Sequence, residues 1–139
     1  MTMGSAMKKY LIATASLVLA TPALAASPLE GHWTNPQENI VVHIAPCGPL
    51  AGTLCGRAIS GSPRARAKAI RSGAGNLIGA SLMQDLVPSG AGLWKGSMFV
   101  PDRNIHAPGK VQMIDANRIN VSGCLWGFLC KSQMWKRVR

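Results

Sequence analysis

From Ile40 onward the chain is cut into short apolar runs by turn signals, at the spacing of a β-sandwich or barrel. Ile40, Val42 and Ile44 alternate with Val41 and His43, the period of a strand. Leu54 to Ile59 follows a Gly-Pro turn and reads as the hairpin partner of that strand. Leu77 to Val87 ends at the turn signal Pro88-Ser89-Gly90, and Trp94 to Val100 ends at Pro101-Asp102. Lys110 to Ile114 and Arg118 to Gly123 flank Asp115-Ala116-Asn117, a tight hairpin loop. That pairing turns Val111, Met113, Ile119 and Val121 inward and Gln112, Asn120 and Ser122 outward. Lys131 to Val138 supplies a last strand. Pro63 to Ser72 is the one candidate helix, and a loop is expected there. No internal repeat and no second domain interrupts the pattern, which predicts a single all-β domain.

The first 25 residues read as an address rather than as part of that domain. Lys8 and Lys9 precede an apolar run from Leu11 to Ala20, Pro22 breaks the run, and Ala23-Leu24-Ala25 offers small residues to a signal peptidase. Residues 1–6 form an extension ahead of the Met7 start of this segment. The expectation is a Sec signal cleaved after Ala25, leaving residues 26–139 as a periplasmic or secreted domain. Of the 139 residues 114 remain, and 13 Lys and Arg outnumber five Asp and Glu by eight. Beyond residue 26 no apolar run approaches the roughly 20 residues that span a bilayer, so an integral membrane protein is not expected.

All four cysteines, Cys47, Cys55, Cys124 and Cys130, lie in this exported part, where disulfides form. Three pairings are possible. Cys47–Cys55 and Cys124–Cys130 are favoured, because each pair brackets a glycine-containing turn and facing strand ends bring the two Cα atoms within bridging distance. The spacings are not those of a zinc site, so no metal is expected.

Gly31-His32-Trp33 opens the first strand and Trp135-Lys136-Arg137 closes the last. In an up-and-down barrel of lipocalin type these strands are neighbours. Gly31 and Trp33 then place an indole at the closed end, with Trp135 beside it and Arg137 lying across the ring in a cation–π contact. With these motifs the chain resembles the bacterial exported family called domain of unknown function 2147. The resemblance runs from Gly31 to Val138 and rests on Gly31-x-Trp33, on Ile44-x-x-Cys47-Gly48 through Leu54-Cys55-Gly56-Arg57, and on Trp94-x-Gly96. It continues through Pro101-Asp102, Gly123-Cys124 and Ser132-Gln133-x-Trp135-x-Arg137. It implies a small lipocalin-like antiparallel barrel of about eight strands, with no established enzymatic activity. The chain departs from the family pattern at Gly61 to Lys68, where an Asp-Asn-Pro stretch is usual, and at Asn104-Ile105-His106, where an aromatic is usual.

Catalytic equipment is sparse. Glu30, Glu38 and Asp115 sit in turn or terminal contexts, and Asp102 reads as a turn cap after Pro101. His32, His43 and His106 lack metal-ligand spacing, and no P-loop, dinucleotide fingerprint or nucleophile elbow occurs. The expectation is a non-enzymatic protein with no catalytic residues, no metal and no cofactor.

Two places could bind. The barrel interior could hold or carry a small apolar or amphipathic ligand, a lipid for instance, with His43, Met83, Trp94, Met98 and Met113 as lining candidates. The segment holding Arg64, Arg66, Lys68 and Arg71 puts four cations in eight residues with no acid nearby. If extended, it would turn Arg64, Arg66 and Lys68 to one side, toward an anionic envelope polymer, lipid surface or acidic protein. Export and the lack of interleaved aromatics argue against nucleic acid. A third reading makes Ala26 to Leu29 a protease-inhibiting segment.

Overall fold

The computed structural model describes residues 12–17 and 26–139, and the signal-peptide motif lies largely outside the described residues. Residues 12–17 have no regular secondary structure. Eight antiparallel strands follow: β1 Gly31–Thr34, β2 Ile40–Pro46, β3 Leu54–Gly61, β4 Ser81–Gly90, β5 Leu93–Val100, β6 Ile105–Asp115, β7 Arg118–Leu125 and β8 Leu129–Arg137. Each pairs with the next, and β8 pairs back onto β1, so the sheet is a closed up-and-down barrel in sequence order. Among the described residues no helix is long and apolar enough to cross a membrane.

Alternation builds the core. Val42 and Ile44 of β2 are fully buried while His43 between them is exposed. Trp33, Val111 and Ile119 repeat the pattern on β1, β6 and β7. Together the fully buried side chains fill the barrel rather than line an empty channel, as the small circumference of an eight-stranded barrel dictates. The strand limits differ from the sequence pattern in one instructive place. β4 begins at Ser81 rather than Leu77 and runs through Pro88-Ser89-Gly90, so the chain reverses at Ala91-Gly92 instead. Gly92 takes the left-handed conformation, with φ 64°, that the reversal needs. Leu77 is buried ahead of the strand, in the connection from the helix.

The segment Pro63–Ser72 is an α-helix, α1, and not a loop. Its stop and start signals were local. Ser62 caps the N-terminus, its hydroxyl accepting from the Ala65 amide at 3.1 Å, and Pro63 fits the first turn where no amide partner is needed. Gly73, left-handed at φ 88°, donates its amide to the Ile70 carbonyl and ends the helix. Ala65 and Ala69, one turn apart, form the buried stripe. Repulsion among the cations did not prevent this, because their side chains are exposed to solvent, which screens them.

Candidate functional site at the helix-bearing end

An up-and-down barrel has two ends, and successive connections alternate between them. One end receives the β2–β3, β4–β5 and β6–β7 turns with the segment entering β1 and the chain end leaving β8. The other receives the β1–β2 turn, α1, the β5–β6 turn and the β7–β8 turn.

The first end is closed. Trp33 is fully buried, and its indole N–H donates to the Leu29 carbonyl at 2.9 Å. The Arg137 guanidinium lies 4.2 Å from the centre of the Trp33 ring. It also donates to the carbonyls of Pro28, Glu30 and Ala116 at 2.7, 2.9 and 2.8 Å. One planar cation thus ties the entering segment, the β6–β7 turn and the plug together, a geometry that suits arginine and not lysine. Gly31 is without a side chain where a Cβ would meet this guanidinium. Trp135 is buried beside them, paired with Ile119. Leu29 is fully buried and the Pro28 carbonyl is held by Arg137, so the inner part of the segment from Ala26 to Leu29 is anchored to the barrel, while Ala26 is exposed.

The middle of the barrel is filled by methionine packed onto glycine. Gly96, Gly109 and Gly123 face one another across β5, β6 and β7, and Gly56 occupies an inward position on β3. A Cβ on Gly109 would collide with the Met98 side chain, and one on Gly56 would come within 3.2 Å of Met83. A Cβ on Gly96 would strike the carbonyls of Gln84 and Asp85, where an irregularity bends β4 inward. Met83 and Met98 are register partners and both are buried, with Trp94 buried on the same face of β5, beyond Gly96. Of the five lining candidates these three meet inside. His43 does not: it is on the outer face, stacked on His32 at 4.7 Å between ring centroids, because its buried neighbours Val42 and Ile44 take the inward positions. Met113 is half-buried at the edge of the core, beside the Gly92 turn.

The second end is basic. On α1 the residues Arg64, Lys68 and Arg71 are exposed and spaced by four and three, so they share one stripe on one flank of the buried edge; Arg66 leaves from the other flank beside Ile70. The extended arrangement that would align Arg64, Arg66 and Lys68 is therefore replaced by a helical one. Ser72 at the end of α1 donates its hydroxyl to the Pro101 carbonyl at 2.5 Å, fastening the helix to the β5–β6 turn that carries Arg103. Asp102 is exposed in that turn, which is held by the Arg103 amide donating to Val100 at 3.3 Å rather than by the Asp102 side chain. His106, stacked on Phe99 at 4.6 Å, lies on the outer face.

The β7–β8 hairpin completes this end. Cys124 and Cys130 are bonded to each other, as are Cys47 and Cys55 in the β2–β3 hairpin. Between Cys124 and Cys130 the turn carries Trp126 and Phe128, 77% and 74% exposed. Neither is among the candidate residues of the sequence, although five consecutive residues without a polar side chain between two cysteines are a readable signal. The acids at this end are Asp102 and Glu38. Glu38 accepts from Lys136 at 2.6 Å, and that hydrogen bond holds its carboxyl below the usual glutamate range. Among the described residues no cluster of His, Cys, Asp or Glu could hold a metal ion.

Residues 31–137 match the model of a family described as "Uncharacterized protein conserved in bacteria (DUF2147)". Among solved structures, protein HP1028 from the human pathogen Helicobacter pylori, described as belonging to the lipocalin family, is similar with a TM-score of 0.55. The match covers 80% of this chain and 83% of that one at 15% identity, which speaks for a shared lipocalin-like fold. No curated protein is significantly similar to the chain.

Proposed function

Starting from a chain that belongs to the DUF2147 family, we infer a non-enzymatic, exported, lipocalin-like binding protein whose working surface is its basic end. The observation that carries this reading is the exposed stripe of Arg64, Lys68 and Arg71 on α1, at the end that also bears Arg66, Arg103 and Lys131. A concentrated field of one sign draws partners of the other. The partner class is an anionic component of the cell envelope. Two disulfides suit an oxidising compartment, in keeping with the signal motif. Two of the five acids, Glu38 and Asp115, are engaged by Lys136 and Arg118, which supports binding rather than acid–base chemistry.

The test is retention on the host's envelope fraction. Wild type should be retained and released by salt, because exposed charges are screened beyond a Debye length of about 8 Å at physiological ionic strength. Replacing Arg64, Arg66, Lys68 and Arg71 together by Gln should lower retention at least tenfold with the β spectrum unchanged. Equal retention would refute the reading.

A second reading is favoured by the lipocalin-like architecture and by the paired methionines: a small apolar ligand enters as Met83 and Met98 swing aside. Native mass spectrometry of protein purified from its host tests it. A bound small molecule supports carriage; repeated recovery of the bare chain mass rejects it.

A further inference from the structure

We propose that the anionic partner is a lipid bilayer, and that the β7–β8 hairpin tip inserts into it while the cations of the same end meet the headgroups. The proposal rests on the basic-end reading above and adds the partner's class and the residues that enter it.

Three observations point to insertion. First, Trp126, Phe128 and Leu129 are 77%, 74% and 52% exposed at one turn, where lone exposed apolar residues are ordinary but a contiguous aromatic tip is not. The two rings lie 6.3 Å apart and form one apolar surface. Second, the tip is built for presentation. Trp126 is held at φ 53°, a left-handed conformation that disfavours bulky side chains, while the adjacent Gly127 takes φ 77°. An asparagine or glycine would fit Trp126's position at less conformational cost, and in this fold the indole has no burial to offset that cost. The Cys124–Cys130 bond closes the loop just below and limits the freedom the tip would lose on insertion. Third, the hairpin stands clear of the wall. β8 pairs with β1 only through Arg137 and Lys136, so most of it, from Leu129 to Trp135, has β7 alone as a strand neighbour.

Charge decides the occupant. The tip shares its end with Arg64, Arg66, Lys68, Arg71, Arg103 and Lys131, against Asp102 and a Glu38 already paired with Lys136. Tryptophan and phenylalanine at an apolar apex, ringed by lysine and arginine, match the layered polarity of an anionic bilayer: headgroup charge outside, acyl chains beneath. An anionic sugar polymer would take the cations and leave Leu129 without a use.

The fold provides its own reporter. Trp33, Trp94 and Trp135 are no more than 7% exposed, so collisional quenching of tryptophan emission reads Trp126. Protein purified from its host with both disulfides formed is mixed with vesicles of equal parts phosphatidylglycerol and phosphatidylcholine, or of phosphatidylcholine alone, with and without brominated acyl chains. Binding to the anionic vesicles with quenching by the brominated lipid is expected, and weak binding to the neutral ones. Trp126→Ser with Phe128→Ser, which lacks the reporter, is followed by co-sedimentation with the vesicles and should weaken binding by on the order of tenfold per aromatic. Its melting temperature should match wild type, since both positions are exposed.

Binding without quenching, or full binding by the double serine variant, overturns insertion and leaves the basic-end reading standing. Retention on envelope polymer with no binding to either vesicle overturns the choice of lipid. Undiminished binding by the variant lacking the four α1 cations overturns the basic-end reading itself, and quenching then decides separately whether the tip inserts.

Discussion

The two stapled hairpins are chemically alike and physically different. The β2–β3 hairpin is bridged by Cys47–Cys55 and the β7–β8 hairpin by Cys124–Cys130, with sequence separations of 8 and 6. In the first, the turn places glycine at both left-handed positions, Gly48 at φ 73° and Gly52 at φ 89°. Thr53 is buried, its carbonyl accepting from the Cys47 amide at 3.0 Å, and Leu54 pairs with Pro46 on one side and Leu86 on the other. In the second, a left-handed position holds Trp126, and the outer strand lacks a neighbour along most of its length. One staple reinforces a hairpin that the barrel already holds. The other holds a hairpin that the barrel leaves free. A covalent bond of the same kind thus serves stability at the closed end and presentation at the basic end.

The sharpest way to break this contrast is at the plug. Trp33→Ala removes the largest fully buried side chain, its 2.9 Å hydrogen bond to Leu29 and the surface under Arg137. Loss of about 3–5 kcal/mol is expected from the cavity alone. Urea unfolding would measure it. If the closed end is the barrel's stability centre, this loss should exceed that of any substitution in the β7–β8 tip; a smaller loss would dissolve the distinction between the ends.

Next come the staples themselves. Loop-closure entropy predicts about 2–2.5 kcal/mol for either bridge, because the loops differ by only two residues. The structure predicts a divergence from that near-equality. Cys47→Ser with Cys55→Ser should lower global stability by roughly that amount, whereas Cys124→Ser with Cys130→Ser should mainly raise amide exchange between Leu125 and Leu129, since a free tip opens locally. Equal drops in melting temperature, with no selective exchange at the tip, would show that both hairpins belong to one cooperative unit.

What was legible in the sequence follows the same division. The closed end could be read because its parts are short patterns with fixed meaning: Gly31-x-Trp33, the terminal Trp135-x-Arg137, and period-two alternation that one face must bury. The all-β class follows from the turn spacing and both cysteine pairs from the glycine-containing turns they bracket, while the lipocalin-like barrel rests also on the family resemblance. The basic end was harder. The expected loop is a helix, α1, because Ser62, Pro63 and Gly73 start and stop it and Ala65 and Ala69 give it a buried edge, a pattern too short to stand out in ten residues. His43 was ambiguous because Val41, Val42 and Ile44 are all apolar, so only the register with β1 and β3 settles which face is wet. The methionine-on-glycine filling was invisible, since it depends on Gly96, Gly109 and Gly123 falling on one level across three strands. Trp126 and Phe128 are hard to read because apolar residues between cysteines suggest core, whereas here they lie in the turn beyond the last β7–β8 pair, Leu125 with Leu129.

The left-handed turn positions give a smaller and more discriminating effect. Gly52→Ala should destabilise by about 1 kcal/mol, because a side chain is introduced at φ 89°. Trp126→Asn should instead be neutral or stabilising by up to about 1 kcal/mol, as asparagine tolerates that conformation and the exposed indole forfeits little packing. Thermal unfolding of the two variants checks the opposite signs. Destabilisation by Trp126→Asn would mean that the tip ring supports the fold, and the presentation argument would lose its physical basis.

The smallest effect separates the ends by pH. Glu38 is lowered chiefly by its hydrogen bond to Lys136, and Asp115 chiefly by its hydrogen bond to Arg118, assisted by the Asn117 amide. A carboxyl depressed in the folded state contributes stability that is present above its unfolded value, about pH 4, and is lost as pH falls through the lower folded value. Both groups are fully exposed, so each contribution is small and weakened by salt. Their reach differs. Asp115–Arg118 closes one turn, three residues apart, while Glu38–Lys136 joins the β1–β2 turn to β8 across the short barrel seam. Melting curves collected downward from neutral pH should therefore show a slightly larger acid loss cancelled by Glu38→Gln than by Asp115→Asn. The reverse order would place the weaker seam at the β6–β7 turn, and the β7–β8 hairpin would no longer be the element held most loosely to the wall.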